Sequence, residues 1–125
     1  MIRLAEFSPA TLDEAVDVLY DGLGEERALL RLQPGQSDGL QRAWMHHGPM
    51  MQVRNTWGLW HESVLAQHFK ETYGLGHADD MSGLIQGSLL ARIDGVEFDV
   101  AAEVERYKAH WRALGVDPLT QEKTA

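Results

Sequence analysis

The residues best suited to chemistry stand close together in the segment His77-Ala78-Asp79-Asp80, with Ser82 just after it. An imidazole beside two carboxylates could bind a divalent metal ion, or could act as acid and base in a hydrolysis. The two acids also have a structural explanation, because Asp79 as N-cap and Asp80 in the first turn would satisfy free backbone N–H groups of a helix. The spacing favours the helix cap, so we predict no metal ligands and no cofactor.

A second candidate lies at residues 54–60, RNTWGLW, where two tryptophans flank a glycine. Trp57 and Trp60 are large apolar side chains, and each indole N–H can donate to a nearby carbonyl oxygen. Gly58 permits a turn between two helices at this point. The pattern favours an aromatic cluster in the core at a helix corner.

The polar residues of the same segment, Arg54 and Asn55, need partners. Donors flanked by so much apolar surface are costly unless carboxylates or carbonyl oxygens accept from them, and Asp79 or Asp80 are natural partners for Arg54. We call the predicted ion pair between Arg54 and one of these aspartates the latch. The alternative is a small pocket in which Arg54 holds an anionic ligand over the tryptophan faces. The candidate centre, structural or ligand-binding, comprises Arg54, Asn55, Trp57, Trp60, His77, Asp79 and Asp80.

Other catalytic patterns are incomplete. The chain has no cysteine, so it has no thiolate nucleophile and no disulfide. Ser63, Ser82 and Ser88 lack the glycine-flanked elbow that is typical of serine nucleophiles. His61-Glu62 resembles the first two residues of a zinc-protease motif, but position 65, where that motif needs its second histidine, is Leu65. We therefore predict no catalytic residue.

The composition limits the classes of partner. With 19 acids and 11 bases the formal charge is −8, whereas contacts to nucleic-acid phosphates need a basic surface. No segment approaches the roughly 18 apolar residues of a membrane span, and the first residues turn polar too soon for a signal peptide. We therefore predict a soluble, cytoplasmic protein that binds neither nucleic acid nor membrane.

The acids concentrate on one face of the first expected helix. Asp13, Asp17 and Asp21 recur at four-residue steps, and like charges at that spacing destabilise an isolated helix by roughly 0.2–0.5 kcal/mol per pair. One interpretation is a solvated face that promotes solubility. The sharper one is a docking surface for a basic protein partner, with Asp13, Asp17 and Asp21 as its candidate residues.

Helices are the elements that must position these residues. Thr11 and Glu14 have the spacing of a capping box, and apolar residues follow at three- and four-residue steps. Strand patterns are poor, so we predict an all-α bundle of five to six short helices in one domain, residues 1–115, followed by a flexible tail, residues 116–125. The expected helices cover residues 12–23, 25–32, 39–57 and 61–73, a segment from Asp79 onward, and residues 100–114.

Proline and glycine mark the breaks between these helices. Pro34-Gly35 should close the second helix. Pro49 should kink or split the third near His47, because proline lacks an N–H and its ring clashes with the preceding turn. RIDGVEF, residues 92–98, resembles a tight hairpin that turns at Asp94-Gly95.

Two glycines on the helix after Asp79 point to close packing. Gly83 and Gly87 lie one turn apart, so a neighbouring backbone could approach closely there. A homodimer could form through this flank, or through Tyr107 and Trp111 of the last helix.

Three segments resemble the motifs of a known family: TLDEAVD at residues 11–17, RNTWGLW at 54–60 and HADDMS at 77–82. They are similar, over roughly residues 9–92, to a group of small bacterial proteins catalogued only as a domain of unknown function. The resemblance implies that the candidate centre is common to the group, and it implies no activity. Pro49 departs from what looks like a continuous helix in relatives, and the segment after Arg92 is not matched.

These observations predict a non-enzymatic protein-interaction module of the inhibitor, immunity or regulatory type, whose acidic face binds a basic partner. The prediction rests on the acidic face, the net charge and the lack of a complete catalytic pattern. The alternative is a small-molecule or metal-dependent enzyme centred on His77, Asp79 and Asp80, with Arg54 holding an anion.

Overall fold

The computed structural model describes residues 3–31 and 38–124, and these form an all-α bundle, as the sequence predicts. The α-helices are α1 Leu12–Leu23, α2 Asp38–His47, α3 Pro49–Thr56, α4 Val64–Tyr73, α5 Ala78–Asp94 and α6 Val100–Ala113. Two 3₁₀ segments, Leu4–Glu6 and Gly24–Leu30, precede and follow α1. The described residues contain no strand, although an isolated bridge pairs Val116 with Lys123.

Helix α5 lies at the centre of the bundle and packs against α1, α2, α3, α4 and α6. Its buried residues surround the helix axis, which is the pattern of a core helix rather than of a surface helix. Met81, Leu84 and Ser82 are all fully buried there. Both candidate aspartates lie in the first turn of this central helix.

The predicted N-terminus of the first helix is confirmed. The hydroxyl of Thr11 accepts the backbone N–H of Glu14 at 3.2 Å. The Glu14 carboxylate reaches back and accepts the N–H of Ala10 at 2.8 Å. This reciprocal cap fixes where α1 starts, so its apolar stripe faces the core.

The predicted break at Pro49 separates two helices. Pro49 is the first residue of α3, where a missing N–H costs no helical hydrogen bond. Gly48 lies between α2 and α3, and its N–H donates to the carbonyl of Trp44 at 2.9 Å. In one straight helix His46 and Arg54 would stand about 12 Å apart along the axis. The break brings them within hydrogen-bond distance.

Two other predicted helices differ from the structure, one in its type and one in the residue at which it begins. The helix expected over residues 25–32 forms as the 3₁₀ segment Gly24–Leu30, and the break expected at Pro34-Gly35 lies outside the described residues. Helix α4 begins three residues later than expected, because the Ser63 hydroxyl accepts the N–H of Ala66 at 3.0 Å and caps the helix.

The hairpin predicted at residues 92–98 is wrong. Helix α5 continues to Asp94, and Gly95 ends it in the left-handed conformation with φ 71°. The N–H of Val96 then donates to the carbonyl of Ala91 at 2.9 Å, which satisfies a carbonyl at the helix end. An Asp-Gly pair suits a helix end as well as a hairpin turn, and the buried face of α5 decides between them.

The glycine flank considered for a homodimer is covered by the chain itself. A Cβ atom on Gly83 would meet the hydroxyl of Tyr107, and one on Gly87 would meet the ring of Phe98. The two glycines therefore make room for side chains that follow α5. A second copy of the chain would have to displace these side chains to pack there.

The C-terminal residues predicted as a flexible tail instead fold back on the loop between α4 and α5. The N–H of Gly76 donates to the carbonyl of Pro118 at 2.9 Å, and Pro118 is buried. The side chain of Asp117 accepts the N–H groups of Leu119 and Thr120, which closes a turn. Residues 116–124 thus form a folded cover over this loop.

Candidate functional site

Arg54 lies in the last turn of α3 and is 4% exposed. Its Nη2 donates to the carbonyl oxygen of His46 at 2.8 Å, and its Nη1 donates to Ser82 Oγ at 2.9 Å. Nη1 also lies 3.4 Å from His46 Nδ1. Because His46 belongs to α2 and Ser82 to α5, one guanidinium ties three helices together.

Asp79 is the acid of the latch. Its Oδ1 lies 3.4 Å from Arg54 Nε, at ion-pair distance. The Nε–H is not aimed at this oxygen, so Nε has no hydrogen-bond partner among the described residues. The Asp79 side chain is 41% exposed, whereas that of Arg54 is 5% exposed. The latch is therefore an ion pair with one buried end and one open end.

The N-cap of α5 is His77, and not Asp79 as predicted. His77 Nδ1 accepts the backbone N–H of Asp79 at 3.0 Å. The cap leaves the Asp79 carboxylate available for Arg54. Two imidazole nitrogens, His46 Nε2 and His77 Nδ1, each lie 3.9 Å from Asp79 Oδ2.

Asp80 pairs with α6 and not with Arg54. Trp111 Nε1 donates to Asp80 Oδ2 at 2.7 Å, and Asp80 is buried. Burial raises the pKa of the Asp80 carboxyl above its ordinary value, while the Trp111 hydrogen bond and the nearby His77 and His110 offset part of that rise. The two adjacent acids thus have separate partners.

The two tryptophans of RNTWGLW have different environments. Trp57 is buried, as predicted, and its Nε1 donates to the carbonyl of Leu4 at 3.0 Å. Trp60 is 49% exposed, contrary to the predicted core position, and its ring meets that of His77 edge-on at 5.4 Å between centroids. His77 in turn stacks on Trp111 with centroids 5.2 Å apart. Trp60 is therefore the outer end of an aromatic row.

His46 also contacts the guanidinium of Arg54, and sequence reasoning missed this contact. Burial, followed by the positive charge of Arg54, lowers the pKa of His46, and Asp79 offsets part of this effect. A neutral imidazole can accept from the guanidinium, which a protonated one cannot do. His46 gave no signal in the sequence because its contact with Arg54 depends on the break at Pro49. Asn55, by contrast, is exposed on α3.

The two carboxylates at the start of α5 do not converge on one open position, because Asp79 faces Arg54 and Asp80 faces Trp111. Across residues 3–31 and 38–124, no group of three or more His, Asp or Glu side chains is placed to hold a metal ion. The geometry is that of a scaffold that joins α2, α3, α5 and α6.

The acidic stripe of α1 is partly neutralised. Asp17 forms an ion pair with Arg92 of α5, and the Arg92 guanidinium also lies 4.1 Å from the centre of the Tyr20 ring. Asp13 and Asp21 are exposed. Arg92 of α5 therefore offsets part of the repulsion between the aspartates of α1.

A groove beside α4, which sequence reasoning missed, adjoins the start of α1. We call it the α4 groove, and its lining includes Phe7, Ala10, Glu62, Val64, His68 and Glu71. Val64 is 71% exposed. Burial lowers the pKa of His68, and the negative charges of Asp13 and Glu14 offset part of that shift.

The fold and site define a small all-α domain built around a buried arginine that is paired with a half-exposed aspartate. A family model described as "Domain of unknown function (DUF6794)" matches residues 8–92, so the chain belongs to this family. The predicted membership of a domain-of-unknown-function family is confirmed. The match includes the whole latch and ends before α6.

Comparisons with curated proteins and with solved structures gave no match. Within the part of the chain that the structure describes, no helix is long and apolar enough to cross a membrane.

Proposed function

We propose that this chain is a non-enzymatic protein-interaction module of the inhibitor, immunity or regulatory type, which acts in the bacterial cytoplasm and binds a basic protein. The observation that carries the proposal is the α4 groove, because it combines an open hollow, exposed apolar surface and acidic side chains. The net charge of −8 favours the same class of partner.

Helices α1 and α4 and the loop before α4 contribute acids to this surface. Glu62 and Glu71 line the groove, and the described residues that line it include no lysine or arginine. Asp13 and Glu14, at the start of α1, act electrostatically on His68 within the groove. An acidic surface of this kind accelerates encounter with a basic partner and discriminates against acidic ones.

The candidate acids of α1 contribute unequally to the proposed surface. Asp13 lies in the first turn, next to the groove, whereas Asp17 is engaged by Arg92. Asp21 stands about 12 Å further along the helix axis than Asp13. The proposed docking surface therefore comprises the start of α1 and the α4 groove, and not the whole stripe.

The latch supports this surface as a scaffold. It fixes the end of α3 against α5, and the chain then passes from Arg54 to Trp57 and on to Glu62. Trp57 also holds the N-terminal segment through Leu4, close to Phe7 in the groove. The alternative enzyme centred on His77 and the two aspartates gains no comparable support, because those acids face separate partners.

Affinity capture tests the proposal. The immobilised protein should retain a basic protein from a lysate of the source organism, and salt should release it. The double variant Glu62→Lys, Glu71→Lys should reduce this capture about tenfold, which corresponds to about 1.4 kcal/mol of binding free energy. The matched control Glu25→Lys, Glu26→Lys makes the same charge change on the 3₁₀ segment after α1 and should capture normally. Equal capture by the two double variants would contradict the proposal.

A further inference from the structure

Residues 96–114, which we call the α6 segment, pack on α5 through the aromatic side chains Phe98, Tyr107 and Trp111. The Phe98 ring and the Tyr107 hydroxyl lie where Cβ atoms on two glycines of α5 would collide with them. Trp111 donates to Asp80 Oδ2 at 2.7 Å, near the start of α5. Because Phe98 lies nearer to the end of α5 and Trp111 nearer to its start, α6 runs antiparallel to α5.

The surface that receives this segment consists of polar side chains and glycines. It comprises His77, Asp80, Gly83 and Gly87, and we call it the receiving face. These residues follow one another at steps of three or four, which places them on one side of a helix. All four lie within the family match, residues 8–92, and the α6 segment lies outside it. The matched residues therefore form a helix-binding surface, and a later part of this chain occupies it.

The α6 segment is less deeply buried than the helix it covers. Val104 is the one buried side chain among the 14 residues of α6, whereas twelve of the 17 residues of α5 are buried. Burial also raises the pKa of Asp80, so the cost of covering this carboxylate opposes the hydrogen bond from Trp111. A helix with few buried apolar side chains opens at a lower free energy than the core of its domain. We therefore expect α6 to leave the receiving face while the rest of the bundle stays folded.

We propose that the receiving face is a second protein-binding site of this chain, and that an amphipathic helix of a partner displaces α6 from it. The partner helix presents a tryptophan to Asp80 and another aromatic residue, one turn earlier, to Gly83. An indole N–H suits the buried carboxylate, and the glycine lets a ring approach the α5 backbone closely. The receiving face contains none of the residues that line the α4 groove, so this inference goes beyond the proposed function.

Hydrogen exchange of the unmodified chain tests whether α6 opens by itself. Amides in the middle of α6 should exchange at least about tenfold faster than amides in the middle of α5. Equal protection of the two helices would overturn the proposal, because α6 would then leave α5 only when the whole bundle unfolds.

A labelled peptide with the sequence of residues 96–114 tests the receiving face directly. The protein is the full chain with Tyr107→Ala and Trp111→Ala, which weakens the internal competitor and leaves α5 unchanged. Fluorescence anisotropy should show at least about tenfold tighter peptide binding to this double variant than to the unmodified chain, where α6 competes at a high effective concentration. The control Trp44→Ala, Met51→Ala removes exposed apolar side chains from α2 and α3 and should bind the peptide no better than the unmodified chain.

One further substitution assigns the binding to the receiving face. Gly83→Ala, added to the double variant, places a Cβ atom where the Tyr107 ring of the peptide must lie. It should weaken peptide binding about tenfold, or by about 1.4 kcal/mol. Circular dichroism should show an intact fold, because alanine favours a helix more than glycine does. A peptide that carries Tyr107→Ala and Trp111→Ala should bind equally poorly.

The outcomes are independent of the α4 groove. A folded double variant that does not bind the peptide, or binding that ignores Gly83→Ala, would overturn this inference and leave the proposed function in place. If the double variant does not fold, hydrogen exchange of the unmodified chain decides. Capture of a basic protein that ignores Glu62 and Glu71 would overturn the proposed function and leave this inference in place.

Discussion

Replacing Asp79 by asparagine should remove the charge of the latch and keep its shape. At a separation of about 4 Å and an effective dielectric constant near 20, two unit charges attract by about 4 kcal/mol. The Asp79 side chain is 41% exposed and the Arg54 Nε–H is poorly aimed at it, so solvent screens much of this attraction. We expect Asp79→Asn to lower the free energy of unfolding by about 1–2 kcal/mol, between the values for surface and buried ion pairs.

Arg54→Met supplies the second arm of a double-mutant cycle. Methionine fills a similar volume without a charge, but it leaves the His46 carbonyl without the guanidinium donor. We expect this variant to lose about 2–4 kcal/mol. The double variant should lose about 1–2 kcal/mol less unfolding free energy than the sum of the two single losses. The attraction between the two charges is lost in each single variant but is counted only once in the double variant.

Urea unfolding at neutral pH, followed by tryptophan fluorescence and far-UV circular dichroism, measures all three variants. Asp21→Asn is the matched control, because it removes the same charge from an exposed position on α1 and should change stability by less than about 0.5 kcal/mol. A coupling energy below about 0.3 kcal/mol would refute the latch as an energetic unit. Coupling of Arg54 to Asp80→Asn, with none to Asp79→Asn, would show that the wrong acid was assigned.

Three further predictions follow from named contacts. Asp80→Asn should change stability by less than about 1 kcal/mol at neutral pH, because the amide oxygen still accepts from Trp111 while the cost of a buried charge disappears; Asp80→Ala should lose about 1–2 kcal/mol in the same urea assay. Gly76→Ala should detach residues 116–124, because its Cβ would clash with the backbone carbonyl of Leu119, and hydrogen exchange should report faster exchange there. Folding lowers the pKa of His46, so the unfolded chain binds more protons at this residue than the folded chain does. The free energy of unfolding should therefore be highest above the unfolded pKa of about 6.5 and should decrease as the pH falls below that value. His46→Gln should make this decline shallower, and an unchanged pH dependence would contradict the assignment.

The fold class could be predicted because its signals are local. The cap at Thr11 and the break at Pro49 each depend on a few neighbouring residues, and both are confirmed. The hairpin at residues 92–98 failed because Asp94-Gly95 has two local meanings, and only packing along α5 distinguishes them. A local pattern thus identifies a break in the chain more reliably than the kind of structure on either side.

The candidate site was predictable in its members but not in its pairing. Arg54 needs an acid in any buried setting, so the sequence predicted a partner among two adjacent aspartates. The choice depended on which residue caps α5. His77 takes that position, which leaves Asp79 available to pair with Arg54. Asp80 instead accepts a hydrogen bond from Trp111 of α6, a helix that sequence reasoning did not connect to the site.

The limits of the family match divide the contacts of the candidate site into two groups. Arg54, Asp79, Ser82 and His46 all lie within the matched residues 8–92, so the contacts of Arg54 with the other three form inside the matched part of this chain, without α6. The partner of Asp80 comes from α6, outside that match. We therefore expect the latch to belong to the shared architecture, and the α6 contact to cover the start of α5 in this chain. The lining residues of the α4 groove, except Phe7, lie inside the match as well, and the same scaffold therefore supports them.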